Sequence, residues 1–230
     1  EKKNTFFVPT IVHTNLKNYF SVFKELNLSK RQFLFKEYYL KFSDIIFATF
    51  YPLRIQFYKI KPLLIDGLNY SALIEKDMKN FSTHSLSIHG LINFRFIRRL
   101  KKNDIKINIF IDWWESQAFD KGLQRALKIF YPNTKTKGYL GIVPADFELQ
   151  LYPTKYENFY GVVPKEISVI GKGFLNIIKK FNNDQKVSIA PAFRFKHLRD
   201  LNLPKSINIH SEVLVALPIS IEDSLNILKK

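Results

Sequence analysis

The stretch that decides the fold runs from Ile107 to Gly141, with the sequence INIFIDWWESQAFDKGLQRALKIFYPNTKTKGYLG. Its first five residues are an apolar, β-branched run that predicts a strand, and the polar and aromatic cluster of residues 112–117 follows directly. Apolar residues at helical spacing continue until Pro132, and a second short strand ends at Gly141. Ligands of open α/β sheets bind beyond the carboxyl ends of strands, near helix N-termini, so residues 112–117 are a candidate site.

Strand and helix patterns alternate from Ile107 onward. This alternation predicts an α/β fold with a Rossmann-type parallel sheet and flanking helices. The predicted strands are Ile107–Ile111, Thr136–Tyr139, Ile167–Ile170, Lys186–Ala190 and Glu212–Leu217; the predicted helices are Ser116–Phe130, Phe174–Phe181, Phe195–Asp200 and Ile221–Lys230. The last strand and helix look like the start of a second domain. We therefore expect one α/β domain over residues 1–205 and the beginning of a truncated domain over residues 206–230.

The N-terminal half is predicted to be rich in helices. A short strand is expected over Thr5–Val12, and helices over Asn15–Leu26, Ser29–Phe42 and Ile65–Asn80. The apolar segment Asp44–Tyr51 fits either a strand or a buried helix. The basic, amphipathic segment Leu86–Lys102 fits either a helix in a membrane interface or a surface helix with an apolar inner face, and the second interpretation is favoured.

Composition excludes several classes of protein. The chain has no cysteine, which excludes disulfides and thiolate metal sites and fits a reducing, cytoplasmic compartment. The five histidines lack metal-ligand spacing to a carboxylate, and neither a GxSxG elbow nor a Walker loop is present. No apolar run is long enough to span a bilayer. The 22 Phe and 11 Tyr predict an unusually aromatic core.

The formal net charge of +16 points to phosphate-rich partners, namely nucleic acid, anionic lipid or sugar nucleotides. Lysines whose only role is to keep the surface hydrated would give the same excess of positive charge. A nucleic-acid-binding protein is therefore one hypothesis. Single-strand binders interleave exposed aromatic residues with cations, whereas most aromatic residues here fall on apolar stripes that predict a core position.

Four motifs occur in an order that resembles the bacterial glycosyltransferases of surface-carbohydrate synthesis with two-domain GT-B architecture. These enzymes build O-antigen and capsule, and the Kdo transferases are distant relatives. The resemblance covers roughly residues 105–230, and the first hundred residues do not share it. The motifs are Asp112-Trp113-Trp114-Glu115-Ser116-Gln117, Lys137-Gly138-Tyr139-Leu140-Gly141, Pro153-Thr154-Lys155-Tyr156-Glu157 leading to Val169-Ile170-Gly171-Lys172-Gly173, and Ala190-Pro191-Ala192-Phe193-Arg194-Phe195, with VLVALPIS-IEDS closing the chain.

The resemblance implies an N-terminal domain that holds a lipid-linked glycan acceptor and a C-terminal domain that holds a nucleotide-sugar donor. Lipopolysaccharide or capsule synthesis would be the process, with the nucleotide sugar as co-substrate and no other cofactor. A peripheral contact with the anionic inner membrane face would fit such an acceptor. The donor domain would be represented by one strand and one helix, so catalysis would need more than these residues. A non-catalytic scaffold is the remaining alternative.

Sugar transfer needs a base for the acceptor hydroxyl, or charge that stabilises an oxocarbenium-like state, and Glu115 suits either role. It could equally complement the dipole of the following helix. Strand alternation sends one of the two indoles into the core, and we assign Trp114 to the substrate. The other predicted substrate contacts are Gln117, Asp120, Tyr139, Gly141 and Arg194, and the predicted phosphate contacts are Gly171, Lys172 and Gly173.

Structural alternatives exist for these contacts as well. Gln117 and Asp120 fit an ordinary polar first turn of a helix, and Gly141 fits a turn. The segment Gly171–Gly173 is better explained as a tight interdomain turn, because a short GxG is a weak phosphate signal. Arg194 fits either an anionic ligand or a salt bridge at a helix start.

Overall fold

The computed structural model describes residues 5–11, 15–80, 84–145, 147–199 and 225. The chain divides into two compact units, Glu1–Phe193 and Arg194–Lys230. Within the second unit, the described helix is α8 (Lys196–Arg199), close to the predicted Phe195–Asp200. The predicted domain boundary at 205/206, the strand Glu212–Leu217 and all but residue 225 of the helix Ile221–Lys230 lie outside the described residues and stay predictions.

The N-terminal part of the first unit is mainly helical, as predicted. Its helices are α1 (Leu16–Leu28), α2 (Phe42–Thr49), α3 (Tyr51–Gln56), α4 (Ser71–Met78) and α5 (His84–Lys102), and β1 (Leu64–Ile65) and β2 (Leu68–Asn69) form a hairpin. The ambiguous segment Asp44–Tyr51 is thus helical. The first five residues of the predicted helix Ile65–Asn80 instead belong to the hairpin, whose turn at Asp66 and Gly67 has positive φ angles of 50° and 79°.

Two predictions near the N-terminus are wrong. Residues 29–41 contain only the short 3-10 turn Lys36–Tyr38 instead of a helix over Ser29–Phe42. Tertiary pairing overrides helix propensity here, because Phe7 N–H donates to the Gln32 carbonyl and Leu34 N–H donates to the Phe7 carbonyl. Over residues 5–11, the described part of the predicted strand Thr5–Val12, the pairing is reduced to the bridge between Phe7 and Phe33.

A four-stranded parallel sheet confirms the α/β prediction. It consists of β3 (Ile109–Trp113), β4 (Lys135–Leu140), β5 (Glu166–Val169) and β6 (Lys186–Ile189), in that spatial order. Helix α6 (Ala118–Phe130) connects β3 to β4, and the short α7 (Lys155–Tyr160) lies between β4 and β5. Parallel neighbours require such crossovers.

The predicted helix Phe174–Phe181 is wrong. The segment begins with the 3-10 turn Lys172–Phe174 and continues as tight turns, in which Lys179 N–H and Lys180 N–H bond to carbonyls three residues earlier. This tighter winding places Ile178 in the core with no exposed surface. Only a few residues of this segment make the apolar contact with the core. That contact does not require a regular helix, although the spacing of the apolar residues predicted one.

The core lies on one face of the sheet. One cluster joins Trp114, Leu140, Ile167, Val169 and Ile178 with neighbouring apolar residues. A second cluster lies between β3, α5 and α6. On the opposite face, the β3 residues Ile109, Ile111 and Trp113 are 61%, 64% and 48% exposed.

Helix α5 is a packed helix with an apolar inner face, which agrees with the favoured interpretation of Leu86–Lys102. Phe96, Ile97 and Leu100 are buried against α6. The two helices approach most closely at two glycines, since a Cβ atom on Gly122 would lie 2.0 Å from the carbonyl oxygen of Gly90. Within the described part of the chain, no helix combines the length and apolar character needed to cross a bilayer.

Candidate functional site

Three aromatic rings form a row at the carboxyl edge of the sheet. Trp113 ends β3 and is the direct register partner of Tyr139 on β4, with ring centroids 5.4 Å apart and planes 66° apart. The Tyr139 ring in turn lies 5.6 Å from the ring of Phe193, beyond β6. Trp113 is 48% exposed and Phe193 64% exposed. We call Trp113, Tyr139 and Phe193 the aromatic row.

Backbone contacts fix the aromatic row in place. The Tyr139 hydroxyl donates to the carbonyl of Pro191 at 2.9 Å and accepts from the N–H of Phe193 at 3.2 Å. The Trp113 ring lies against Gly141, where a Cβ atom would be 2.4 Å from Trp113 Cη2. Gly141 is therefore required by the packing of the indole. The row is consequently a rigid surface formed by two strands and the segment after β6.

Glu115 lies at the end of the row. Its side chain is half-buried, and the Trp113 indole N–H donates to Glu115 Oε1 at 2.6 Å. The other carboxylate oxygen, Oε2, has no hydrogen-bond partner among the residues that the structure describes. Ser116, which follows, has a positive φ of 58°, an uncommon conformation for a residue with a side chain. The turn after β3 thus holds a carboxylate beside an exposed indole.

The structure reverses the predicted roles of the two tryptophans. Trp114 is completely buried in the core, so the prediction that it contacts substrate is wrong. Successive side chains of an extended segment point to opposite sides, and Trp114 shares its side with Phe110, which packs toward the helices. Trp113 therefore faces solvent, and it is the indole available to a ligand.

Asp120 is a helix cap and lies out of reach of a substrate. It is buried, and its Oδ2 accepts from the N–H groups of Glu115 and Gln117, both at 3.0 Å. Burial raises the pKa of Asp120 to about 6. The predicted sugar contact of Asp120 is therefore wrong. Its two bonds instead position Glu115 at the start of α6, and Gln117 remains half-buried beside it as a predicted contact.

Asp112, which the sequence did not single out, lies behind the aromatic row. Gln124 of α6 donates to Asp112 Oδ2 at 3.0 Å, while Asp112 Oδ1 is enclosed and has no hydrogen-bond partner among the described residues. Desolvation by burial raises the pKa of Asp112 to about 7. The enclosed atoms Trp114 Nε1 and Ser116 Oγ also lack partners within the described part of the chain. Such unsatisfied polar atoms and unusual backbone angles occur often at functional sites, and here they accumulate at one strand end.

The remaining predicted site residues lie in the turn after β5 and at the start of the second unit. Gly171 has extended backbone with a φ of −170°, and a Cβ atom on Gly173 would meet nothing within 4 Å. Lys172 begins the 3-10 turn after β5, at the same sheet edge as the aromatic row. Arg194 is exposed and belongs to the second unit. Their contacts with phosphate or sugar stay predictions.

Of the two members of the aromatic row that the sequence analysis did not assign to the site, Phe193 could have been found from sequence and Trp113 could not. Phe193 belongs to the motif at residues 190–195, although it was not assigned a role there. Trp113 and Trp114 could not be distinguished by pattern, because β3 carries apolar residues on both faces, with Ile109 and Ile111 on one and Phe110 on the other. Only the three-dimensional packing decides which indole is exposed.

Among the residues that can be described, no group of three or more His, Asp or Glu side chains is placed to hold a metal ion. Comparisons of the chain with protein-family models, curated proteins and solved structures find no match. The function must therefore be argued from the site itself.

Proposed function

We propose that this chain is the acceptor-side part of a glycosyltransferase, holding a growing surface polysaccharide or lipid-linked glycan to which a sugar is transferred from a nucleotide sugar. The observation that carries the proposal is the aromatic row with Glu115 at the carboxyl edge of a parallel sheet. A GT-B arrangement, with the donor bound by a second domain, is part of the same proposal and rests on the motif resemblance.

The chemistry of the aromatic row suits a saccharide. The exposed faces of Trp113 and Phe193 offer flat apolar surfaces to the C–H faces of sugar rings, and the indole edge is already bonded to Glu115. The unpaired Glu115 Oε2 can accept a hydrogen bond from a sugar hydroxyl. A ligand stacked on Trp113 would thus bring its hydroxyl groups next to a carboxylate.

Glu115 is the proposed general base. It would accept the proton of the acceptor hydroxyl while that oxygen attacks the anomeric carbon and the bond from that carbon to the nucleotide phosphate breaks. The negative charge that develops on the leaving phosphate requires cations. Lys172, at the same sheet edge as Glu115, is the proposed source of that charge.

A transfer assay on this chain joined to the donor-binding part that the proposal requires, supplied with nucleotide sugars and lipid-linked acceptors, tests this assignment. Glu115→Gln should lower the transfer rate by about 100-fold or more while leaving acceptor affinity within a few-fold, because the amide can still hydrogen-bond but cannot accept the proton. Glu25→Gln, an exposed carboxylate on α1, is the matched control. Full transfer by a Glu115→Ala variant would show that Glu115 is not the general base.

Nucleic-acid binding is the second candidate function, favoured by one specific observation. The prediction that most aromatic residues lie in the core is wrong for α7, where Tyr156, Phe159 and Tyr160 are 79%, 74% and 56% exposed beside Lys155. Exposed rings next to cations are typical of single-strand binders. A labelled oligonucleotide that bound tightly at physiological salt, with affinity lost on α7 substitution, would favour this function over sugar transfer.

A further inference from the structure

A second surface, on α2 and α3, has features that the proposed sugar transfer does not use. Phe42, Ile46, Phe50, Leu53 and Phe57 recur at helical spacing across the two helices. We call these five residues the apolar stripe. Their side chains are exposed by 78%, 42%, 52%, 54% and 87%, respectively. Large apolar residues exposed in a contiguous pattern mark an interaction surface.

The packing of α2 and α3 explains why the stripe faces outward. The opposite side of the helix pair carries Asp44, Ala48 and Ile55, which are buried. Asp44 forms an ion pair with Arg99 of α5 at 2.6 Å, and Arg95 lies 4.0 Å from it. These contacts attach the pair to α5 by its inner side. The outer side is thus apolar even though it does not contribute to the core.

Helices α2 and α3 also follow one another almost without a break. Phe50 N–H bonds to the Ile46 carbonyl, and Arg54 N–H bonds to the Phe50 carbonyl, so hydrogen bonding continues across the junction. Arg54 is further fixed by its guanidinium, which lies 4.1 Å from the centroid of the Phe47 ring. The stripe is therefore presented on a defined helical surface.

The charges that adjoin the stripe in sequence favour an anionic partner. Lys41, Arg54, Lys59 and Lys61 are all exposed, and the only carboxylate among residues 41–63 is Asp44, which is buried in its ion pairs. A second copy of the chain would place these like charges against one another. An anionic lipid surface instead offers an apolar layer for the stripe and negative headgroups for the cations.

We propose that the apolar stripe, with its flanking cations, docks this protein on an anionic lipid bilayer. The aromatic and aliphatic side chains enter the boundary between headgroups and acyl chains, while the Lys and Arg side chains contact the headgroups. The helices lie in the plane of the interface. This docking surface is distinct from the aromatic row, and its test does not depend on transfer activity.

Co-sedimentation of the full chain with vesicles measures the docking directly. The protein should bind vesicles of phosphatidylcholine containing about one-third phosphatidylglycerol, bind phosphatidylcholine alone much less, and dissociate as salt rises toward about 1 M. The double variant Phe42→Ser/Phe57→Ser should lower the partition coefficient on the order of 30-fold. The control Phe147→Ser/Phe159→Ser removes two rings of similar exposure elsewhere and should change little.

A second kind of variant tests the docking even if the double variant fails to fold. Phe57→Trp places an indole at the most exposed position of the stripe, and brominated lipids should quench its fluorescence, whereas they should not quench the indole of Phe147→Trp. Absence of binding to anionic vesicles, equal losses in both double variants, or equal quenching at both positions would overturn the proposal. So would a stripe-dependent dimer seen by light scattering without vesicle binding.

Discussion

At the residue scale, the two adjacent tryptophans have opposite environments, and each packs against a different glycine. A Cβ atom on Gly138 would meet Trp114 Cβ at 2.7 Å, inside the core, whereas one on Gly141 would meet the exposed Trp113 ring. The Trp113 ring is also tied to Glu115 by its N–H. The geometry of the candidate site therefore depends on the absence of a side chain at Gly141.

Gly141→Ala should displace the Trp113 ring and disrupt the aromatic row. We expect acrylamide to quench Trp113 fluorescence more strongly, with a loss of folding stability of about 1–3 kcal/mol from the steric overlap. Trp114 is buried, so the change in quenching would report on Trp113. Gly173→Ala, whose added Cβ meets nothing within 4 Å, is the control. Identical quenching in both variants would show that Gly141 does not position the indole.

Asp112 should make stability depend on pH. The pKa of Asp112 is about 7 in the folded protein, above the usual 3.8. Between these two pH values, the folded state retains a proton that the unfolded chain has released. The stabilisation from this proton is complete below about pH 4 and is lost as pH rises through about 7. Asp120, with a pKa raised to about 6, acts in the same direction.

Asp112→Asn removes the cost of a buried charge and keeps an oxygen for the Gln124 bond. The free energy of unfolding should rise on the order of 2 kcal/mol at about pH 8 and change little at about pH 4. Thermal unfolding across this pH range measures the difference, and Asp184→Asn, at an exposed carboxylate, is the control. A variant that is less stable than the parent at about pH 8 would contradict the assignment.

At the scale of elements, the alternation of strand and helix patterns predicted the parallel sheet. The four strands of this sheet occur at the predicted places, within about two residues at each end. The errors occurred where another part of the chain decides the local structure. Residues 32–34 bond to Phe7, which lies far away in sequence, and propensity cannot anticipate such pairing. By contrast, the Asp66-Gly67 turn carries a local hairpin signal that the helical interpretation overlooked.

The crossing of α5 and α6 depends on Gly90 and Gly122. Gly122→Ala would place a methyl group 2.0 Å from the Gly90 carbonyl oxygen, and backbone cannot yield as a flexible side chain does. The helices must separate, so we expect a loss of about 3 kcal/mol in the free energy of unfolding by denaturant. Gly171→Ala, whose Cβ would make ordinary contacts at 3.7 Å, should lose far less. Equal losses would mean that the close crossing does not determine stability.

At the scale of the whole molecule, the sequence predicted a candidate site at the sheet edge where the aromatic row lies, but not the composition of the row. The predicted carboxyl edge after β3 does carry the exposed row, and Glu115 lies there. The row also requires Tyr139 and Phe193, which come together only through the strand order and the bonds of the Tyr139 hydroxyl. Composition alone suggested an aromatic core, whereas Phe42, Phe57 and Phe147 are 78%, 87% and 85% exposed. Residue type does not specify which rings the tertiary structure covers.

We propose that the aromatic row and Glu115 together bind a saccharide. The most direct measurement is calorimetric titration of the full chain with a panel of surface-polysaccharide fragments and, separately, a single-stranded oligonucleotide. We predict saturable binding of a glycan that falls at least about 10-fold in Trp113→Ala and persists in Phe159→Ala, which removes an exposed ring on α7. Binding of the oligonucleotide alone, or glycan binding that is unchanged in Trp113→Ala, would contradict it.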